Sequence, residues 1–314
     1  MDPLSDVLSL LKPRSHVSAG FDAGGDWSVR FRGNIGIKCY AVVSGQCWLV
    51  VDDVPEPVHL QGGDCFLLPS GRPFRIASDP ALEPVDAQAF FSRHSLGGVV
   101  RVGAGGELFL VGSRFELAGS HTSVLLSSLP PIVRIRDAAD SAALRWSVER
   151  MMHELRHPQP GGHLIAEHLA HMMLVQALRL CLAEGAGVGW LYALADRQTS
   201  AAIGAMHDDP ARRWTLQDLA AHAGMSRSSF AQRFKEKVGQ SPMDYLTRWR
   251  MLLAGDRLEN SGDPVSVIAL SLGYESESAF STAFKRVMGC SPRRNGRRRA
   301  SEAAGAGQLE PAAT

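Results

Sequence analysis

Side chains of the kinds that contact DNA, nine of them polar and one alanine, occur in two sets in the last third of the sequence, fifty residues apart. The two sets are Arg227, Ser228, Ala231, Gln232 and Lys235, then Glu277, Ser278, Ser281, Thr282 and Lys285. Glutamine can bond adenine at two atoms, glutamate can accept from cytosine N4, and serine or threonine suit several bases. Arginine and lysine at helix ends more often hold phosphates. The sequence therefore predicts two surfaces that contact double-stranded DNA.

Both sets belong to an internal repeat. After Met225, a shift of fifty residues gives eight identities within seventeen positions: Ser226/Ser276, Ser228/Ser278, Phe230/Phe280, Phe234/Phe284, Lys235/Lys285, Gly239/Gly289, Ser241/Ser291 and Pro242/Pro292. Upstream the shift is forty-nine, which we attribute to one extra residue in the second turn. The repeat indicates a structural unit that occurs twice. The alternative is two helical hairpins that serve only packing.

Each copy has the pattern of a helix-turn-helix. In the first, Thr215 is placed to cap a short helix, Gly224 to break it and Ser226 to cap the next. Phe230 and Phe234 then bury one stripe of that second helix. The second copy repeats the plan with Gly273, Ser276, Phe280 and Phe284. We predict helix-turn-helix motifs at residues 216–237 and 265–288, whose second helices enter the major groove.

A single continuous helix is predicted between the copies, over Tyr245–Leu258. It would link the two DNA-reading helices rigidly. Arg248 and Arg250 on this helix either contact phosphates or are solvated surface residues.

The first two thirds of the chain have a different pattern. Short β-rich runs at Ile37–Val43, Cys47–Val51, Asp64–Leu68 and Leu108–Val111 predict an antiparallel sandwich or barrel. Two helices are predicted from about residue 141 to 184, with a break near 157–162. The second is apolar on more than one stripe, so we expect it to pack against its own domain and a partner.

Charge is distributed unevenly along the chain. Residues 195–300 hold 17 Lys and Arg against 11 Asp and Glu, whereas residues 1–194 hold 16 against 19. A basic segment of this kind suits a polyanionic partner. The five cysteines form no CxxC pair, which fits a reducing compartment. With neither a signal peptide nor a clean membrane span in the sequence, we expect a soluble cytoplasmic protein, associated with the nucleoid when bound to DNA.

The segments WTLQDLAAHAGMSRSSFAQRFKEKVGQSPMDYLTRWRM and VIALSLGYESESAFSTAFKRVMGCSP resemble the DNA-binding domain of AraC/XylS-type transcription regulators, over roughly residues 196–295. The resemblance implies that two motifs read successive major-groove segments near a promoter. By position it assigns base reading to Ser228, Ala231, Gln232, Glu277, Ser278, Ser281 and Thr282. Two positions depart from the family pattern. Thr282 stands where arginine is usual, and Asn295 replaces an aromatic ring, so the last turn is expected to pack less firmly.

The N-terminal region resembles the cupin-type sensor domain of one branch of that family. The likeness lies in DPLSDVLSLL, SGQCWLVV and LQGGDCFLLPSGRPFRI. The metal-binding histidines of cupins are missing, because Phe74 stands at one such position and residues 36–52 contain no histidine. We therefore expect no metal, no cofactor and no enzymatic activity. The paired histidines of HLIAEHLAH read as an ordinary polar face rather than as metal ligands.

Several residues of this region leave two interpretations open. Cys39, Cys47 and Cys65 are either small core residues or a thiol switch. The aromatic residues Tyr40, Trp48, Phe66 and Phe74 either line an effector pocket or fill the core.

Together these patterns predict an α+β protein of two domains. Residues 1–185 form an antiparallel, cupin-like β-barrel with trailing helices that senses and dimerises, 186–195 a linker, 196–297 an all-α DNA-binding domain, and 298–314 a disordered tail. The predicted function is sequence-specific transcription regulation, as an activator controlled by a small-molecule or redox signal. Expected partners are DNA, RNA polymerase, an effector and a second copy of the chain. The alternatives are a non-specific architectural DNA binder and a metal-dependent cupin enzyme.

Overall fold

The computed structural model describes residues 2–33, 36–91, 98–117, 129–135, 142–184 and 187–295. Contacts divide the chain into two compact units. The sheet unit comprises the described parts of residues 13–117 and 129–185, and the helical unit those of residues 1–12 and 186–314. The predicted tail at 298–314 lies outside the described residues. No helix in the described ranges is long and apolar enough to cross a membrane.

The sheet unit contains two sheets. Its strands are β1 (Arg14–Gly24), β2 (Ser28–Phe31), β3 (Ile37–Ser44), β4 (Gln46–Val51), β5 (Val58–Gln61), β6 (Cys65–Leu68), β7 (Phe74–Ala77), β8 (Val85–Asp86), β9 (Val99–Gly103), β10 (Leu108–Glu116) and β11 (Val133–Ile135). The first sheet has the order β11-β6-β3-β10-β1-β9, and the second β5-β4-β7-β2-β8.

One apolar core joins the two sheets. Val42 of β3 and Leu110 of β10 contribute to it from the first sheet, and Leu49 of β4, Phe74 and Ile76 of β7 from the second. Successive strand residues point to opposite faces, so alternate positions of each strand enter the core. Tyr40 stacks on Phe66 at 5.1 Å between ring centroids within the same space.

The four predicted strands are confirmed as β3, β4, β6 and β10. The prediction of an antiparallel arrangement is wrong at two places, because β1 pairs with β9 in parallel and β2 with β8 in parallel. Each of these pairs is separated by a chain segment long enough to return to the same end of the sheet. Among the described residues no strand pairing joins the two sheets, so closure into a barrel stays a prediction.

Helices α2 (Ala87–Phe91), α3 (Ala142–Arg156) and α4 (Gly162–Glu184) complete the sheet unit. The two long helices confirm the predicted pair and the break between them. They cover one face of the first sheet, where Arg156 lies over the Phe109 ring and His171 packs edge-on against Phe115. Large apolar side chains of α3 and α4 remain exposed, namely Trp146, Leu164, Ile165 and Met172.

The helical unit consists of α1 (Pro3–Leu11), α5 (Trp190–Ala193), α6 (Arg197–Asp208), α7 (Leu216–His222), α8 (Arg227–Val238), α9 (Pro242–Asn260), α10 (Val265–Ser271) and α11 (Glu277–Met288). The continuous connecting helix predicted between the repeats is confirmed as α9. In the structure it also extends beyond the predicted range at both ends.

Two segments lie in different places from those that the sequence suggested. Helix α1 packs with the helical unit, although the predicted boundary assigned residues 1–185 to the sensor. Residues 190–193, expected within the linker, form a helix whose Trp190 and Leu191 are buried. The glycines near 185–189 suggested a linker, but the apolar side chains that follow find a packing surface in the same unit. The functional division into sensor and DNA-binding domains stays a prediction.

Candidate nucleic-acid interface

The first helix pair begins with a capping box. The Thr215 hydroxyl accepts from the Asp218 backbone N–H, and the Asp218 carboxylate accepts from the Thr215 backbone N–H at 3.0 Å. Leu219 and Ala220 bury the inner face of α7. Gly224, with φ +64°, then makes the turn in a left-handed conformation that favours glycine. These contacts confirm the predicted cap and turn.

Helix α8 is oriented by two buried rings. Ser226 caps its start by accepting from the Ser229 N–H at 3.3 Å. Phe230 and Phe234 are both fully buried, with ring centroids 5.6 Å apart. Because helix positions i and i+4 share one face, burial of these rings turns the opposite face toward solvent.

The second helix pair repeats this construction. Gly273 makes the turn with φ +80°, and Ser276 accepts from the Ala279 N–H at 3.2 Å. Phe280 and Phe284 are fully buried and share a core cluster with Met251 of α9. The connecting helix thus packs directly against α11, the second helix of this pair.

All ten predicted DNA-contacting residues lie on α8 or α11, five on each helix. Eight are exposed, whereas Ala231 and Ser281 are half-buried. The structure therefore brings each set together on one accessible helix face. Contact of these residues with DNA stays a prediction.

Local hydrogen bonds hold several of these side chains. The Gln232 amide donates to Glu236 Oε1 at 2.9 Å, and the Thr282 hydroxyl donates to the Ser278 carbonyl at 3.0 Å. The bond to Glu236 engages one of the two N–H groups of the Gln232 amide.

An ion pair that the sequence analysis missed anchors α8 to the start of α6. Arg233 bonds the Asp196 carboxylate, which also caps α6 by accepting from the Thr199 N–H at 3.0 Å. The Arg233 guanidinium is the main reason why the pKa of Asp196 lies well below its usual range. The Gly189 N–H adds a bond to the Lys237 carbonyl at 2.9 Å. The available signal for this ion pair in the sequence was the arginine at position 233, between Gln232 and the buried Phe234.

Arg250 is half-buried and bonds backbone carbonyls, a role that neither interpretation from the sequence included, and a phosphate contact stays a prediction. Its guanidinium donates to the Pro210 carbonyl at 2.6 Å and to the Arg212 carbonyl at 2.8 Å. It also lies 5.7 Å from the centroid of the Tyr274 ring. This arginine fixes the segment that leads into α7. Arg248 is half-buried.

Asn295 packs more tightly than the sequence analysis expected. Its side chain is buried, and its amide donates to Glu259 Oε1 of α9 at 3.1 Å. A hydrogen bond therefore takes the place of the aromatic contact at this position. The basic run at 297–299 lies outside the described residues.

Helix α1 docks on the helical unit through a buried histidine. The ring of His207 lies face to face with Trp249 at 3.8 Å between centroids. Its Nε2 accepts from the Tyr245 hydroxyl at 2.9 Å, and its Nδ1–H donates to the Asp6 carboxylate at 3.2 Å. Burial holds the pKa of His207 at about 3, so the ring is neutral at pH 7.

The sheet unit contains a cavity of about 370 Å³ between its two sheets. Tyr40, Phe31 and Lys38 are among the residues that line it. Of the aromatic residues considered for an effector pocket, Phe66 and Phe74 are buried core residues and Trp48 packs on His59. No three histidine, cysteine or acidic side chains converge as metal ligands in the described parts of the chain.

The three strand cysteines are core residues. Cys39, Cys47 and Cys65 are almost completely buried, as the core interpretation predicted. Burial raises the pKa of Cys47 and of Cys65 to about 12, and that of Cys39 well above its usual value. Thiols of this kind are poor nucleophiles at neutral pH.

Comparison with known proteins covers both units. A family model described as cupin matches residues 2–183, and one described as a helix-turn-helix domain matches residues 219–298. The chain is 47% identical over 295 residues to an AraC-like transcription regulator of Streptomyces lividans, covering 93% of this chain and 97% of that protein. A regulator of the same description from Streptomyces antibioticus is 45% identical over the same shares. The transcriptional regulator AlkR of Acinetobacter baylyi is 29% identical, covering 93% of this chain and 98% of its own length.

These relatives are matched along almost their whole length, and the matched regions include both helix-turn-helix pairs. Together with two capped helix pairs that expose their second helices, the match identifies the function of the helical unit as DNA binding. The chain belongs to the AraC-like transcription regulators, with a cupin N-terminal region and a helix-turn-helix DNA-binding domain.

Proposed function

We propose that this regulator is a transcriptional activator that reads its operator through the exposed faces of α8 and α11 and responds to a small molecule bound in the sheet unit. The observation that carries the proposal is the placement of the ten residues, nine of them polar and one alanine. Eight of the ten are exposed on helices that a buried pair of phenylalanines anchors, so the same packing that holds each helix also presents the proposed reading face.

The roles proposed within each face follow from chemistry. Gln232 reads adenine and Glu277 accepts from cytosine, with Ser228, Ser278, Ala231, Ser281 and Thr282 completing the two base-reading surfaces. Arg227 at the start of α8 and the lysines Lys235 and Lys285 near the helix ends hold phosphates. The proposal is that the two surfaces, linked rigidly through α9, contact successive major-groove segments of one DNA face.

A small-molecule signal is favoured over a redox signal. The sheet unit offers a cavity between its sheets, whereas its three strand cysteines are buried with raised pKa values. We propose that the unit is a cupin-like barrel, and that the ligand shifts the population of a state in which the DNA-binding domain engages its operator. Residues 1–185 would then be the sensor and 196–297 the DNA-binding domain, with residues 298–314 a disordered tail.

Further partners follow from this role. The exposed Trp146, Leu164, Ile165 and Met172 support a homodimer formed through α3 and α4. An activator bound near a promoter contacts RNA polymerase, and the protein acts in the cytoplasm, at the nucleoid. A non-specific architectural binder would show equal affinity for all duplexes and a steep salt dependence. A cupin enzyme would need metal ligands, and the protein is proposed to have no enzymatic activity.

The test is selection of duplexes from a random library by the full chain, with Gln232→Ala and Lys235→Ala run in parallel. Gln232→Ala should relax preference at one base position, by about 1–3 kcal/mol. Lys235→Ala should weaken binding uniformly and leave the selected motif unchanged. DNA retained without any enriched motif, or a uniform effect of Gln232→Ala, contradicts the proposed reading.

A further inference from the structure

The cavity of the sheet unit has an apolar body and a cationic end. Phe31, Tyr40, Ile76 and Leu110 supply its apolar wall, from strands of both sheets. Its volume of about 370 Å³ is near the lower end of the range for small-molecule pockets, about 300–1,000 Å³. A ligand that fills it must present mostly hydrocarbon to the protein.

Lys38 supplies the first cation. Its side chain is on the inner face of β3, only 5% exposed, and lines the cavity. The ammonium lies 4.4 Å from the centroid of the Phe74 ring and makes one long hydrogen bond, 3.5 Å, to the Arg32 carbonyl. Within the described ranges, no carboxylate forms an ion pair with it. Lysine is almost never buried this deeply without a charge partner.

Arg114 brings a second positive charge to the same place. It is the register partner of Lys38 on the neighbouring strand β10, and it also lines the cavity. Like charges directly opposite each other destabilise a sheet, so this pair has no stabilising role. Arg114 bonds Glu116 at 2.5 Å through Nη2, but its buried Nε has no hydrogen-bond partner in the part of the chain that the structure describes.

The remaining charged residues of the lining do not neutralise these two. Arg32 and Asp86 pair with each other at 2.9 Å. Among the described residues, the lining therefore keeps one uncompensated cation, the Lys38 ammonium, beside Arg114, whose charge is paired with Glu116 but whose buried Nε still offers a donor.

We propose that this cavity binds an organic monoanion with an apolar body, whose carboxylate or sulfonate group is held by the Lys38 ammonium and completed by Arg114 Nε. The anion satisfies both buried donors and removes the repulsion between the two strands. A neutral ligand would leave the Lys38 ammonium and Arg114 Nε without an anionic acceptor. A larger or multiply charged ligand would conflict with the volume and the apolar walls of the cavity. The inference rests on the proposed sensor role for its regulatory meaning, but binding itself can be tested without DNA.

The experiment uses two fluorescent probes of nearly the same shape. 8-Anilinonaphthalene-1-sulfonate carries one negative charge, and N-phenyl-1-naphthylamine is its uncharged parent. Both are titrated into the full chain, into Lys38→Met and into Lys38→Arg. Arg101→Met is the matched control, because it removes an exposed cation of the same unit that pairs with Asp22 outside the cavity.

The wild type and Arg101→Met should bind the sulfonate probe saturably with the same Kd. Lys38→Met should raise that Kd at least tenfold and leave the Kd of the uncharged probe within twofold. Lys38→Arg should restore most of the affinity for the sulfonate. Absence of saturable sulfonate binding, an unchanged Kd in Lys38→Met, or an equal loss of both probes would each overturn the proposal.

The pH dependence gives a second readout. Burial, with the nearby Arg114 charge, lowers the pKa of Lys38 to about 8. The other titratable groups facing the cavity are Tyr40, whose pKa is raised, and Asp86, whose pKa is lowered. Sulfonate affinity should therefore fall as the pH rises from 7 to 10 in the wild type and stay flat in Lys38→Met. A flat wild-type profile contradicts the assignment to Lys38.

Failure of this inference and failure of the proposed function are distinguishable. Selection of duplexes from the random library is measured on the same preparations. Selective DNA binding without sulfonate binding rejects only the ligand, whereas sulfonate binding without any enriched DNA motif rejects only the proposed reading of DNA.

Discussion

The two turn glycines of the helix-turn-helix pairs should differ sharply in their tolerance of alanine. Gly224 and Gly273 occupy equivalent positions and both have positive φ, +64° and +80°. An alanine in this left-handed region costs roughly 1–2 kcal/mol. At Gly224 a Cβ atom would meet nothing within 4 Å, so this conformational term is the whole effect.

Gly273→Ala adds a steric term to the conformational one. A Cβ atom there would lie 2.1 Å from the Ala211 carbonyl oxygen, a backbone atom that cannot rotate away. The same segment is held by Arg250, so relieving the clash must strain those bonds. Overpacking that shifts backbone costs about 1–3 kcal/mol. Gly273→Ala should therefore destabilise α10 and α11 by roughly 2–5 kcal/mol.

Hydrogen–deuterium exchange of the full chain measures this difference locally. For each variant, exchange is compared with that of the same peptides in the wild type. The acceleration of α10 and α11 in Gly273→Ala should be at least fivefold larger than the acceleration of α7 and α8 in Gly224→Ala. Peptides of the sheet unit give the internal reference. Gly204→Ala is a control of opposite sign, because Gly204 lies within α6 with no atom near its Cβ position and without positive φ. This substitution should stabilise α6 by about 0.5–1 kcal/mol and therefore slow the exchange of peptides from that helix.

Equal acceleration in the two turn variants would refute the reasoning, since it would mean that the Ala211 contact does not constrain the second turn. A larger effect at Gly224 would refute it more strongly.

Two further predictions concern stability. The pKa of His207 is about 3 in the folded protein, against roughly 6.5 in the unfolded chain. The contribution of this histidine to the free energy of unfolding is therefore fully present above about pH 6.5 and is lost as the pH falls. At pH 5 the loss is about 2 kcal/mol, and the urea midpoint of His207→Gln should depend less on pH than that of the wild type. Asn295→Ala removes the bond to Glu259 and should lower the free energy of unfolding by about 1–2 kcal/mol in urea denaturation, whereas an unchanged midpoint would mean that Asn295 does not hold the last turn.

The helix-turn-helix pairs were predictable because their signals are local. Serine caps, turn glycines and phenylalanine pairs act within a few residues, and the repeat states the same plan twice. Thr215 forms the predicted cap, and Phe230 and Phe284 are buried as predicted. The exposed faces follow from that burial, which is why eight of the ten candidate residues are exposed, and their contact with DNA stays a prediction.

Long-range packing was not predictable in the same way. The contact between Asp6 and His207 joins residues 201 positions apart, and no local pattern reports it. The buried helix beginning at Trp190 was not predicted, because the glycines before it indicated a linker. Arg250 resembles any surface arginine until its two carbonyl partners are known. In each case a distant surface decides the role of the residue.

Lys38 could have been found from the sequence. It shares the alternation of Tyr40 and Val42, which places its side chain on the inner face of β3. The cross-strand pairing of Lys38 with Arg114 could not have been predicted from the sequence, because β3 and β10 are separated by about seventy residues.

The central claim is that two rigidly linked helices read one face of DNA. The most direct test is the affinity of the full chain for the operator recovered by selection, before and after five base pairs are inserted between its two boxes. Half a helical turn moves one box to the opposite face of the DNA, so one of the two helices loses its base contacts. The account therefore predicts that the affinity for the operator falls roughly a hundredfold. An affinity that is unchanged by the insertion would contradict it.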